Sequence, residues 1–430
     1  MQKMKQMHGF WLALAVVLLA LPVPAQTRLA SANQGKVWYV SQGSGSNRND
    51  GTRENPLKNI QKAIDMAASG DVICVAEGNY YGLFNCGYIK VNKGVSIIGG
   101  YSADFSERDF LQYRTLIQPT ATSNGTLQGQ GTVQIHVLQS GTLVELDGLI
   151  MDRGNSVAYD RNGEGKPAGV ETGMMCPIGS AGKGAPGVPE DQFHTAETAI
   201  VHINTGSRCD VTIRNCAFLN GPYYGLTGST FGTKVTVDNC IFVNIRMAAV
   251  ELRGASATNN SQTVFTHNTV LFSWSRLRDL HDMGYGYRYM PRSDTKFDRN
   301  IVGCSVFAAL DRTHVDNPPA REEERVTTCE HSLFFLNRQA DLVLPGGGTF
   351  LRVRVDDFED VEQLAEVSDN EDVDDPEELF GDAIDKAYLK GFRQVTADKP
   401  EGKMFANHYP VEEALKLFGA VEKYGAQKPE

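Results

Sequence analysis

Residues 209–220 read CDVTIRNCAFLN, and residues 233–244 read TKVTVDNCIFVN. Each stretch is a short alternating strand, a polar turn residue and a second short strand. Three later stretches keep this outline: QTVFTHNTVLFS (262–273), DTKFDRNIVGCS (294–305) and VTTCEHSLFFLN (326–337). LVELDGLIMD (143–152) and GVSIIGGYS (94–102) fit it more loosely. The turn residues read as Asn215, Asn239, Asn268, Asn300 and Ser332, spaced by 24, 29, 32 and 32 residues. A drifting period of this size marks a solenoid whose loops vary in length. Strands that alternate with period 2, with no helices between them, point to an all-β solenoid of parallel stacked coils. Asparagine tolerates the left-handed turn conformation. Its amide can also bond to the same amide one coil away, about 4.8 Å along the stack. The asparagines therefore read as structural ladders. Cys216 and Cys240 follow two of them and should stack, as a small apolar pair or a disulfide.

A second set of strands follows each repeat: IVHIN (200–204), LTG (226–228), VELRG (250–254), YRYMP (287–291) and LDRTH (310–314). Alternation places Val201, Leu226, Val250, Tyr287 and Leu310 inward. His202, Thr227, Glu251, Arg288 and Asp311 then form an outward row, one per coil. A slip of one residue would bury that row instead.

The chain begins with Lys3, Lys5 and an apolar run from Phe10 to Leu21, followed by PVPA. This reads as a signal peptide over 1–25, cut after Ala25, and implies export to the periplasm or the extracellular space. No later run approaches the roughly 20 apolar residues of a spanning helix, so no integral membrane segment is expected in the mature chain. Eight cysteines in 430 residues are too sparse for a disulfide scaffold, and none has zinc-site spacing. The formal charge is −11, and residues 355–385 hold fifteen Asp and Glu with no Lys or Arg. The rest of the chain is near neutral. A nucleic-acid binder needs a basic footprint, so that class is set aside. The acidic stretch lacks the spaced loop of a calcium-binding hand and reads as a solvated face.

The segment 38–81, WYVSQGSGSNRNDGTRENPLKNIQKAIDMAASGDVICVAEGNYY, reads as strand, turn, helix and buried strand. Asn55 is placed as the helix cap and Pro56 in its first turn. Leu57, Ile60, Ala63, Ile64 and Ala67 share one apolar face. Such a helix would close the open end of the solenoid. This segment, with GVSIIGGYSADFSERD (94–109), resembles the opening of right-handed parallel β-helix proteins of the pectin lyase-like superfamily. The resemblance spans roughly residues 36–340. It implies a right-handed parallel β-helix over 36–345, with an N-terminal capping helix. Residues 346–430 read as an acidic, partly helical C-terminal extension. In it, PVEEALKLFGAVEKYG (410–425) is a helix expected to pack on the far end of the solenoid. The superfamily holds lyases, uronate epimerases, glycoside hydrolases and non-catalytic surface proteins, so the fold alone assigns no activity.

A lyase or uronate epimerase abstracts the proton next to a sugar carboxylate. It needs a cation to stabilise the developing charge, a base and an acid. The sequence offers Arg288 as the cation. His281 and Tyr285, placed on the loop leading into the Arg288 strand, offer proton transfer. Glu251 and Asp311 would hold Arg288 or bind calcium. His202, Asp282 and Arg312 are candidate substrate contacts. DLHD (279–282) resembles the Asp-Pro-His-Asp motif of β-helix mannuronan epimerases, with Leu280 where the proline would be. A hydrolase needs carboxylates about 5–9 Å apart, and two coils separate Glu251 from Asp311 by about 10 Å. The Gly/Pro-rich stretch 173–199, which contains His194, reads as a border loop or an insertion. Two readings follow: an exported enzyme acting on an acidic polysaccharide by β-elimination or epimerisation, or a non-catalytic glycan-binding or envelope scaffold.

Overall fold

The computed structural model describes residues 35–83, 88–118, 133–153, 199–221, 223–255, 261–274, 284–314, 327–346, 349–361, 364, 366–396 and 409–429. The expected signal peptide, the stretch 173–198 with His194, Cys86 and Cys176 lie outside the described residues.

Three sheets run the length of a right-handed parallel β-helix. Sheet one has ten strands, from Val37–Val40 to Glu366–Ser368. Sheet three has nine, from Gly78–Tyr80 to Glu371–Asp372. Sheet two also has nine: β1 (Ile89–Val91), β2 (Val133–Val137), β3 (Ala199–Thr205), β4 (Tyr224–Thr230), β5 (Ala248–Gly254), β6 (Tyr285–Tyr289), β7 (Ala308–Asp311), β8 (Ala340–Gly346) and β9 (Thr349–Val353). Among the described residues every strand pair is parallel except β8 with β9. Inward side chains stack coil on coil, as in the ring pair Phe218 and Phe242, whose centroids lie 4.3 Å apart.

The corner between sheets one and three corrects the repeat reading. Two tasks assigned to one asparagine belong to adjacent positions. The left-handed position holds Asn215, Asn239, His267, Arg299, His331 and Asp369, all with φ between 45° and 55°. The inward ladder is one residue further on: Cys216, Cys240, Asn268, Asn300, Ser332 and Asn370. Asn300 Oδ1 accepts from the Asn268 backbone N–H at 2.9 Å, and Asn300 Nδ2 donates to the Phe265 carbonyl at 2.9 Å. Ser332 and Asn370 continue the chain of bonds at 3.1 and 3.0 Å. Cys216 and Cys240 stack as free, buried thiols and not as a disulfide.

Helix α1 (Ile60–Met66) is shorter than the sequence suggests, and its N-cap is Asn59. Leu57 precedes it and bridges to Val40. Leu57, Ile60, Ala63, Ile64 and Ala67 nevertheless all join the core and close the first coil. At the other end a 3-10 helix, Val355–Asp360, seals the core with Val355 and Phe358, joined by Val361 and Leu364. The acidic stretch is therefore not a separate extension. It buries its apolar residues and supplies the last coil, in which Glu366–Ser368 and Glu371–Asp372 pair in parallel with the coil before.

The terminal segment does not pack on the far end, as the sequence suggests. Its helix is short, Val411–Leu415, and the chain runs back along the outer face of sheet three. Phe418 meets Phe110 edge to face at 5.0 Å, and Glu412 pairs with Arg114. The Tyr409 N–H donates to Asn220 Oδ1 at 2.8 Å, and Asn220 Nδ2 donates back to the Tyr409 carbonyl at 3.1 Å. Gln427 and Asn239 exchange the same pair of bonds. An apolar outer face on sheet three selects this site, because the 3-10 helix already covers the end of the core.

Candidate functional site

The pairing of sheet two places His202, Thr227, Glu251, Arg288 and Asp311 side by side on consecutive strands. The row continues to Gln134 and Lys90 on one side and to buried Val343 on the other. Tyr287 and Tyr289 point into the core, so alternation turns Arg288 outward. Tyr285 stands where the sequence allows either the entering loop or the start of YGYRYM (285–290), and the strand takes it. It opens β6, packs outward and meets Phe307 at 5.4 Å. The backbone can step inward after it because residue 286 is glycine. A Cβ there would lie 2.4 Å from Val302 Cγ1 and 2.8 Å from the Ala309 carbonyl.

The β5–β7 part of this face is a closed ion network. Arg288 Nε donates to Asp311 Oδ2 and Nη1 to Glu251 Oε2, each at 2.8 Å. Its third nitrogen, Nη2, meets His314 Nε2. The guanidinium carbon lies 5.0 Å from the centre of the Tyr285 ring. The Arg288 side chain is 4% exposed and Asp311 0%. Burial alone would lower the Arg288 pKa. The Asp311 and Glu251 carboxylates outweigh that and hold it above the ordinary value. Asp311 Oδ1 accepts from the Thr313 N–H at 2.8 Å and the Thr313 hydroxyl at 2.6 Å. Burial, then the neighbouring Glu251 carboxylate, push the Tyr224 pKa well up. Both Asp311 oxygens and Glu251 Oε2 are thus engaged within the network. Among the described residues, no group of three His, Cys, Asp or Glu is placed to hold a metal ion.

The β2–β5 part differs. Beside the first row stands a second outward column, His136, Asn204, Ser229 and Arg253, two residues further along each strand. Among the described residues the side chains of Asn204, Thr227, Ser229 and Arg253 make no hydrogen bond to the protein. Thr227, Asn204 and Ser229 are half-buried, and Arg253 is exposed. Burial, then the neighbouring His136, lower the His202 pKa, so its ring is neutral at neutral pH and can both donate and accept. Gln134 accepts from the Tyr88 hydroxyl at 2.7 Å.

Of the sequence candidates, the structure joins Glu251, Arg288, Asp311 and Tyr285, and places His202 two strands from Glu251. Arg312 does not reach the face. It follows outward Asp311, falls inward and is 1% exposed, with its guanidinium carbon 5.7 Å from the Tyr289 ring centre. His281 and Asp282 lie outside the described residues. The sequence reading missed Tyr224, His314 and the column from His136 to Arg253. That column was available by counting two residues on from each member of the first row.

A family described as a protein of unknown function (DUF1565) matches residues 43–150. No curated protein matches. Among solved structures, a pectin methylesterase from Aspergillus niger is 13% identical, with 90% of this chain and 95% of that chain covered and a TM-score of 0.31. A rhamnogalacturonan lyase is 11% identical, with 91% and 100% covered and a TM-score of 0.34. A pectate lyase, Pel9A, is 12% identical, with 92% and 96% covered and a TM-score of 0.33.

Proposed function

We propose that this chain is an exported β-helix protein that binds a polysaccharide along the outward face of β2–β5. One observation carries the reading. Asn204, Thr227, Ser229 and Arg253 stand in register on adjacent strands, and their side chains make no hydrogen bond among the described residues. The fully buried asparagines Asn220, Asn244, Asn268 and Asn300 are satisfied within the fold, whereas this array faces outward. An array of amides, hydroxyls and a neutral imidazole suits sugar hydroxyls, each of which donates and accepts. The strand spacing of about 4.8 Å presents these groups at regular steps to an extended polymer.

Binding is favoured over elimination because the expected catalytic cation is occupied. Arg288 is engaged at three nitrogens and almost wholly buried, so it is not turned toward a sugar carboxylate. A lyase or epimerase reading keeps one specific support: Tyr224 stands near Glu251 and His314 touches Arg288, which brings proton-carrying groups together at the edge of the same face.

The test is to incubate the mature protein with a panel of acidic and neutral glycans. Affinity, ultraviolet absorbance of unsaturated ends and solvent-deuterium uptake into the glycan are followed together. Binding without unsaturation or exchange is expected. Unsaturated ends that vanish in Glu251→Gln would move the assignment to a lyase, and no binding across the panel would end the reading.

A further inference from the structure

We infer that Arg253, and not Arg288, reads an anionic group on the bound glycan, so that the preferred polymer carries carboxylates or sulfates. This rests on the binding reading above.

The two arginines lie on adjacent strands of one sheet, and their surroundings differ in kind. Arg288 is enclosed by Glu251, Asp311 and His314. Arg253 is exposed, and its guanidinium has neither a hydrogen bond nor an ion pair among the described residues. The nearest acid on its own strand, Glu251, sits two residues back on the same face, about 7 Å along the strand. Glu251 does not quench Arg253, because it is held by Arg288 at 2.8 Å. The positive charge of Arg253 is therefore available to a ligand, while that of Arg288 is neutralised within the protein.

Position adds to charge. Arg253 stands beside Ser229 and, one coil further, Asn204. Those two side chains are themselves unbonded within the described residues. A sugar ring held by Ser229 and Asn204 would thus meet, about 4.8 Å along the stack, a planar fork of donors suited to two anionic oxygens. No carboxylate stands in the column itself. An anion can approach it without meeting a like charge, since Glu251 is compensated.

The experiment uses the mature full-length chain and polygalacturonate, alginate and chondroitin sulfate. The two uronate polymers are each paired with a carboxyl-reduced counterpart, and chondroitin sulfate is paired with desulfated chondroitin. Affinity is measured by calorimetry at low and moderate salt for wild type, Arg253→Gln and Arg253→Lys. Arg253→Gln is expected to weaken binding of the preferred anionic polymer roughly tenfold, to weaken the uncharged counterpart by much less and to flatten the salt dependence. Arg253→Lys should restore part of the loss, and all three proteins should melt at the same temperature. The paired polymers tell carboxylate from sulfate. If Arg253→Gln binds the anionic polymer as wild type does, or loses both partners equally, the inference fails. If wild type prefers the uncharged polymer, the inference fails while the binding reading stands. If wild type binds nothing in the panel, the binding reading itself fails and the inference goes with it.

Discussion

The two halves of sheet two share strand direction, register and alternation, yet they use their outward polar groups in opposite ways. Across β5–β7, Glu251, Arg288 and Asp311 are engaged with one another, and Arg288 and Asp311 are buried. Across β2–β5, Asn204, Thr227, Ser229 and Arg253 are left unsatisfied by the fold. Charged residues draw attention in a sequence. In this sheet the charged trio is the part most committed to structure. The less conspicuous asparagine, threonine and serine are the part left for a partner. What separates a site from a strut here is whether the side chain's bonds are already spent.

The comparison breaks first at Arg288. Arg288→Ala leaves Asp311 and Glu251 without their cation and should cost about 3–5 kcal/mol of stability, read from denaturant unfolding, with glycan affinity shifting less than twofold. A small stability loss with a large affinity loss would reverse the roles of the two halves. A contrast between identical residue types sharpens it. Asn300→Ala strips a partner from the Asn268 N–H and the Phe265 carbonyl and should cost about 1–3 kcal/mol. Asn204→Ala should move stability by no more than about 0.5 kcal/mol. It should weaken glycan binding by about 1 kcal/mol, the scale of one hydrogen bond.

The smallest effect is on pH dependence at His202. Its folded pKa is depressed, so the neutral ring contributes stability that is fully present above the ordinary histidine pKa of about 6.5. That contribution drains away as pH falls through the lower folded value. His202→Gln should flatten the pH profile of stability in that window and leave it unchanged above. An unaltered profile would mean that the burial of His202 has no energetic weight.

Much of the fold was legible because a solenoid repeats one local pattern, so reading a single coil reads the whole. The outward row was legible for the same reason: parallel in-register strands turn sequence alternation into a line of neighbours. The ladder was read one place off because Asn215 and Asn268 look equivalent as letters. The inward apolar residues give the true register. Phe218 lies three residues after Asn215, whereas its stacking counterpart Val270 lies two after Asn268. Tyr285 was read both in the loop and in the strand because the glycine after it breaks the alternation, and Arg312 was offered as a contact although alternation from Asp311 turns it inward. The place of Arg253 could be counted from Glu251, but its surroundings carry no sequence signal. An arginine without partners looks like any other until its neighbours are known to be engaged elsewhere. The destination of the C-terminal segment was equally hidden. Its apolar spacing says that it packs, and only the sheet three outer face says where.

That last segment has a consequence in time. A solenoid can ordinarily zip up coil by coil as it emerges, each coil needing only the one before. Here residues 409–427 supply main-chain partners to Asn220 and Asn239 and cover the rings that begin at Phe110. The first coils therefore wait, with an apolar flank uncovered, until the last twenty residues have been made. Such distant closures slow folding. A chain cut short near its end should expose sheet three as a sticky surface, a fault that a coil-by-coil solenoid without this return would not have.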